Sequence, residues 1–123
     1  MTIMDAINRI DSLKPNGYDQ AFKIHMLSNL DLLIKSEIID THLCGDEIEV
    51  NGYAEDTNLS TELLVPAPYD KVYLYWLEAQ IDYWNGEYAK YNNSIEMFNT
   101  AYKAFENFYN RMYMPRGKKF KFF

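Results

Sequence analysis

Apolar residues recur at steps of three and four along most of the chain, and the breaks in that rhythm divide it into elements. Ile3, Ala6, Ile7 and Ile10 follow Thr2 and Asp5, which have the spacing of a weak capping pair. They predict a short helix over 3–13, ended by Pro15-Asn16-Gly17. Asp19 is placed to cap a second helix over 19–41, whose stripe is Phe22, Met26, Leu27, Leu30, Leu33, Ile34 and Ile38. Asp31, Lys35 and Asp40 read as lying largely outside that stripe. His25 and His42 flank it and read as surface or capping histidines.

Over 43–64 the helical rhythm is lost. Cys44-Gly45-Asp46 and Asn51-Gly52 are turn signals, and Glu47-Ile48-Glu49-Val50 alternates as a short strand would. Asp46, Glu47, Glu49, Glu55, Asp56 and Glu62 make the segment strongly acidic. A connection of about 22 residues is long for a compact domain. It reads either as a loop that reaches a partner or lines a passage, or as a solvated insertion. Its acids do not match the spacing of an EF-hand.

From Val65 to Arg116 the pattern predicts two long helices folded back on each other. Pro66-Ala67-Pro68 forces an extended lead-in, and Asp70 sits in the first turn. Val72, Tyr73, Trp76, Leu77, Tyr83 and Trp84 then step helically over 69–90, with Leu74 and Ile81 on a second face. Such a helix has more than one neighbour. Gly86 inside it marks a close approach of another backbone or a fraying end. Asn92-Asn93-Ser94 is expected to end this helix and cap the next. The next has a seam of Ile95, Phe98, Tyr102, Phe105, Tyr109 and Met112, and Pro115 and Gly117 stop it. The fold class expected is all-α. It is a small bundle of about four helices, built on a long antiparallel helical hairpin, with a long acidic loop (a possible short β-hairpin) between helices 2 and 3. A helical domain over 1–114 and a tail over 115–123 complete the organisation.

Composition changes this picture in two ways. Aromatic residues make up 16% of the 123, with Tyr leading at 11. A lone domain of this size has few places to hide so many half-polar rings, which favours an oligomer or a partner-bound protein. The net charge of −6 is also segregated, since all 18 acids lie in residues 1–110. Arg111, Arg116, Lys118, Lys119 and Lys121 lie beyond them, the last three interleaved with Phe120, Phe122 and Phe123. That pattern suits stacking on single-stranded nucleic acid, or docking on an acidic partner with Phe anchors. Three Phe side chains on a free tail are a poor solubility choice, which favours docking.

Catalytic chemistry is not legible. There is no Gly-rich phosphate loop, no Gly-x-Ser-x-Gly and no His spacing that selects a metal. Glu78 and Asp82 read as a solvated helix edge. Cys44 stands alone, so no internal disulfide forms. Asn-Gly recurs at 16–17, 51–52 and 85–86, read as turn chemistry reused rather than a repeat. The N-terminus lacks a signal-peptide pattern, and no apolar run approaches the roughly 20 residues that span a bilayer. A soluble protein of a reducing compartment is expected.

Val65-Pro66-Ala67-Pro68-Tyr69 leads into Glu78-Ala79-Gln80-Ile81-Asp82-Tyr83 and Asn85-Gly86-Glu87-Tyr88, then Tyr91-Asn92-Asn93, Phe98-Asn99, Ala101-Tyr102, Phe105 and Tyr109-Asn110-Arg111. With an N-terminal helix pair and an intervening loop, this layout resembles the small head–tail connector (adaptor, or head-completion) proteins of tailed phages and prophages of Gram-positive bacteria. The resemblance covers the central hairpin most fully. It implies a structural virion protein, neither an enzyme nor a cofactor protein. Such a protein forms a homo-oligomeric ring around the DNA channel, between the portal and the next tail-completion or stopper protein. DNA would pass through without sequence-specific binding. By the same resemblance Arg111, Arg116, Lys118, Lys119, Phe120, Lys121, Phe122 and Phe123 engage the portal. The acidic loop, with Asp46, Glu47, Glu49, Glu55 and Asp56, faces the lumen or the next tail component. The alternative is a nucleic-acid-binding accessory protein that uses the basic aromatic tail.

Overall fold

A computed structural model describes residues 1–43 and 45–116. Among these the chain forms α1 (Ile3–Leu13), α2 (Gln20–Glu37), α3 (Lys71–Trp84) and α4 (Tyr88–Met112), with 3-10 turns at Ile39–Thr41 and Gly45–Glu47. The described residues are mostly helical and contain no strand, the composition of a small all-α bundle.

α1 begins on a complete capping box. The Thr2 hydroxyl accepts from the Asp5 amide at 3.1 Å, and the Asp5 carboxylate accepts from the Thr2 amide at 3.0 Å. α2 begins where the Asp19 carboxylate accepts from the Phe22 amide at 2.9 Å. It stops at Glu37 rather than 41. The Thr41 hydroxyl donates to the Ile38 carbonyl, and His42 Nδ1 lies 2.6 Å from the same oxygen. These side chains compete with the helical ladder and tighten the chain into a 3-10 turn.

The joint between α3 and α4 also differs from expectation. α3 ends at Trp84, and α4 runs unbroken through Asn92-Asn93-Ser94. Gly86 has φ +76, its amide donates to the Tyr83 carbonyl, and the Glu87 amide donates to the Asp82 carbonyl. That is the Schellman termination, which needs a left-handed residue after the cap. A Cβ on Gly86 would meet nothing within 4 Å, so its role is conformational and not a close approach.

α3 is the central helix and touches α1, α2 and α4. Ile3, Ile10, Ile24, Leu27, Leu30, Ile34, Val65, Tyr73, Leu77 and Ile81 are fully or almost fully buried around it. Burial of each such aliphatic side chain contributes about 1.5–3 kcal/mol. α4 lies along the other side of α3. Ser94 meets Asp82, Trp76 packs on Phe98 at 5.0 Å, and Tyr69 packs on Phe105 at 6.2 Å, an antiparallel register.

The segment expected to hold a strand holds none. At the expected strand the Ile48 amide closes a 3-10 turn on the Gly45 carbonyl, and farther on the segment bonds to the start of α1: Ile3 N–H to Thr61 O, Met4 N–H to Leu59 O, and Leu63 N–H to Met1 O, all at 3.0–3.1 Å. Two of these satisfy amides that the first turn of any helix leaves without a partner.

Candidate interaction surfaces

One buried carboxylate gathers several parts of the acidic segment onto the helices. Asp31 sits on α2 between Leu27 and Ile34 and is fully buried. Its Oδ1 accepts from the Tyr73 hydroxyl at 2.6 Å, and its Oδ2 accepts from the Tyr53 hydroxyl and from the Leu64 amide at 3.1 Å. The Tyr73 hydroxyl in turn accepts from the Val65 amide at 2.7 Å. Burial pushes the Asp31 carboxyl above the ordinary carboxylate range, although its three donors pull the other way. Burial and the adjacent carboxylate push both tyrosines up as well. Beside this node the Ser28 hydroxyl accepts from the Tyr53 amide at 2.9 Å. The loop is thus clasped at residues 53 and 64–65. Glu47, Glu49, Glu55 and Asp56 are exposed.

A second buried acid joins three helical elements. Asp82 is fully buried, 2.8 Å from Lys14 Nζ, and accepts from the Ser94 hydroxyl at 2.7 Å. It is not the solvated edge expected from sequence. Glu78, half-buried, is within 3.4 Å of the same hydroxyl.

At the C-terminal end of α4 the chain turns back on the 39–46 segment. His42 is buried rather than superficial, with Nε2 2.9 Å from Asn110 Oδ1 and its ring edge-on to Tyr109. His42 and Pro115 form an isolated bridge, and the Leu43 amide donates to the Met114 carbonyl at 3.0 Å. The Arg116 amide donates to Thr41 O at 2.7 Å, its Nε donates to His42 O at 2.9 Å, and its guanidinium lies 3.2 Å from Asp46. One residue expected to meet a partner is therefore tied to another in its own chain. Arg111 is exposed. Lys118, Lys119, Phe120, Lys121, Phe122 and Phe123 lie outside the described residues.

Aromatic residues among those described range from core to largely exposed. Tyr73, Phe98, Phe105 and Tyr109 are core. Tyr83, Trp84 and Tyr88 remain 46%, 58% and 61% exposed at the α3–α4 turn. Tyr83 meets Trp84, Tyr88 and Tyr91 edge-on at 5.4, 6.0 and 5.5 Å. At the opposite end Leu43, Met112, Tyr113 and Met114 are 51%, 60%, 42% and 54% exposed.

Sequence reasoning missed Asp31, Tyr53, Tyr73, Asp82, Ser94 and Asn110. A signal existed for Asp31, which stands four residues after Leu27 and three before Ile34, in register with the buried stripe. Ser94 likewise precedes Phe98 by four on the α4 seam, but read as a cap. Among the described residues no three His, Cys, Asp or Glu side chains are grouped to hold a metal ion, and no helix is long and apolar enough to cross a membrane. Compared with protein-family models, curated proteins and solved structures, the chain matches none.

Proposed function

We propose that this chain is a structural subunit of a tailed-phage head–tail connector, a ring between the portal and the next tail-completion or stopper protein, with DNA passing through its channel. The observation that carries this reading is the apolar surface left uncovered at both ends of the α3–α4 pair. Side chains of that kind in such numbers belong in contacts between subunits. The exposed carboxylates of the 46–56 stretch give a channel or rim surface that repels the DNA backbone rather than binding it. The resemblance of the 65–111 stretch supplies the specific assembly. In this reading the chain is not an enzyme, needs no cofactor and does not enter a membrane, and its place is the virion.

The portal-docking element is the basic aromatic end, from Arg111 to Phe123. Because Pro115 and Arg116 bond to residues 41–46, the informative truncation ends after Arg116 and leaves those bonds intact. Removal of residues 117–123 is expected to abolish attachment to a cognate portal ring while far-UV circular dichroism and melting stay unchanged. Undiminished attachment of the shortened chain refutes this docking mode. Loss of salt-sensitive DNA or RNA binding with the same residues, and no portal attachment by the full chain, identifies the nucleic-acid accessory protein instead.

A further inference from the structure

We infer that copies of this chain associate head to tail, the α3–α4 turn of one copy seating on the Leu43–Met114 end of the next. The two surfaces sit at opposite ends of α4, whose 25 residues span about 37 Å. No copy can therefore satisfy itself. Their chemistry is complementary. The turn offers Tyr83, Trp84 and Tyr88 with a locally neutral rim, since Lys90 pairs with Glu87 at 2.6 Å. The other end offers Met112 and Met114, whose thioethers suit aromatic faces, and the exposed Arg111, whose guanidinium stacks on them. Pairing two like terminal ends would bring the exposed Arg111 of each copy together. Pairing two turns would leave Leu43, Met112 and Met114 uncovered on both copies.

The area sets the strength. At roughly 200 Å² per ring, the three turn residues leave roughly 300 Å² of apolar surface uncovered. The opposite end leaves a similar amount. A core of roughly 600 Å² with its polar rim reaches only the low end of transient interfaces. Association is accordingly weak in free solution. Because the contact joins different surfaces, it propagates into a ring or an open chain rather than stopping at a dimer.

The inference deepens the connector reading and rests on it, naming the contact between copies that its ring requires; it is tested without a portal, so its failure and a failure of portal attachment are read separately. Sedimentation velocity of the full chain, at concentrations approaching millimolar, tests it. Species larger than a dimer are expected to grow with concentration. Trp84→Ser with Tyr88→Ser, and separately Met112→Ser with Met114→Ser, should each weaken association about thirtyfold, the loss of one hot-spot anchor. An equimolar mixture of the two variants should form a heterodimer and nothing larger, because one good surface of each kind survives. All four side chains are largely exposed, and circular dichroism checks that the variants fold. Concentration-dependent amide shifts of the unaltered chain give a second readout, expected at residues 83–91 and at 43 and 112–114 together. A strictly monomeric chain, shifts at one end only, or a mixture that fails to pair overturns the inference.

Discussion

At the residue scale two buried carboxylates, Asp31 and Asp82, organise the molecule. Asp31 gathers two hydroxyls and an amide from three different parts of the chain. Tyr73→Phe leaves Asp31 Oδ1 short of a donor and the Val65 amide without its acceptor. The expected cost is on the order of 2 kcal/mol or more, read as a lower denaturation midpoint. A change within a few tenths of a kcal/mol would show that the node is not formed. The sign of the pH effect follows from the raised Asp31 carboxyl. The folded chain holds that proton to higher pH than the unfolded chain, so this group's contribution to stability falls as pH rises from the ordinary value of 3.8 and levels off above its folded value. Asp31→Asn removes that component. The stability of wild type minus that of the variant should therefore shrink over the same rise in pH, by urea titration at several pH values. A difference that widens with pH contradicts the assignment. Asp5 behaves oppositely, because its hydrogen bonds with the Thr2 backbone and hydroxyl hold its carboxyl below the usual range. Its support is present above 3.8 and is lost on acidification.

At the element scale, helix existence was legible and helix ends were less so. The spacing of Ile3, Ala6, Ile7 and Ile10 located α1, because a full capping box and a Pro-Asn-Gly stop bracket it. The joint of the long pair was misplaced because three polar residues, Asn92, Asn93 and Ser94, outweighed one glycine. Asn92 and Asn93 face solvent in α4, where their low helix propensity costs only tenths of a kcal/mol, and Ser94 turns inward to Asp82. A left-handed glycine, by contrast, terminates a helix by geometry. Gly86→Ala is therefore expected to lose about 1–2 kcal/mol, and Asn93→Ala to be neutral or slightly stabilising. Thermal melts of the two variants separate these outcomes, and the reverse ranking would place the joint at 92–94. Charge and composition singled out the acidic segment and the basic end, but not what their residues contact. Nothing in the spacing of Asp46 and Arg116 shows that they pair across 70 positions, since that contact depends on α4 returning to the 39–46 segment. Burial of Asp82 was equally hidden, because its partner Lys14 lies beyond the end of α1.

At the scale of the whole molecule the pieces form a helical bundle with an acidic loop clasped to it and uncovered apolar groups at both ends of its longest helix. The core is packed with aliphatic and aromatic side chains, and the buried acids Asp31 and Asp82 are taken up by internal partners. Among the described residues the surface presents carboxylates at 47–56, rings at the α3–α4 turn, and methionines at the end of α4. The direct test adds the purified full chain to isolated portal rings of the cognate phage and images them by negative-stain electron microscopy. A connector subunit is expected to add a continuous collar to the tail-facing side of the portal. Portal rings that stay bare at saturating protein would contradict the central claim.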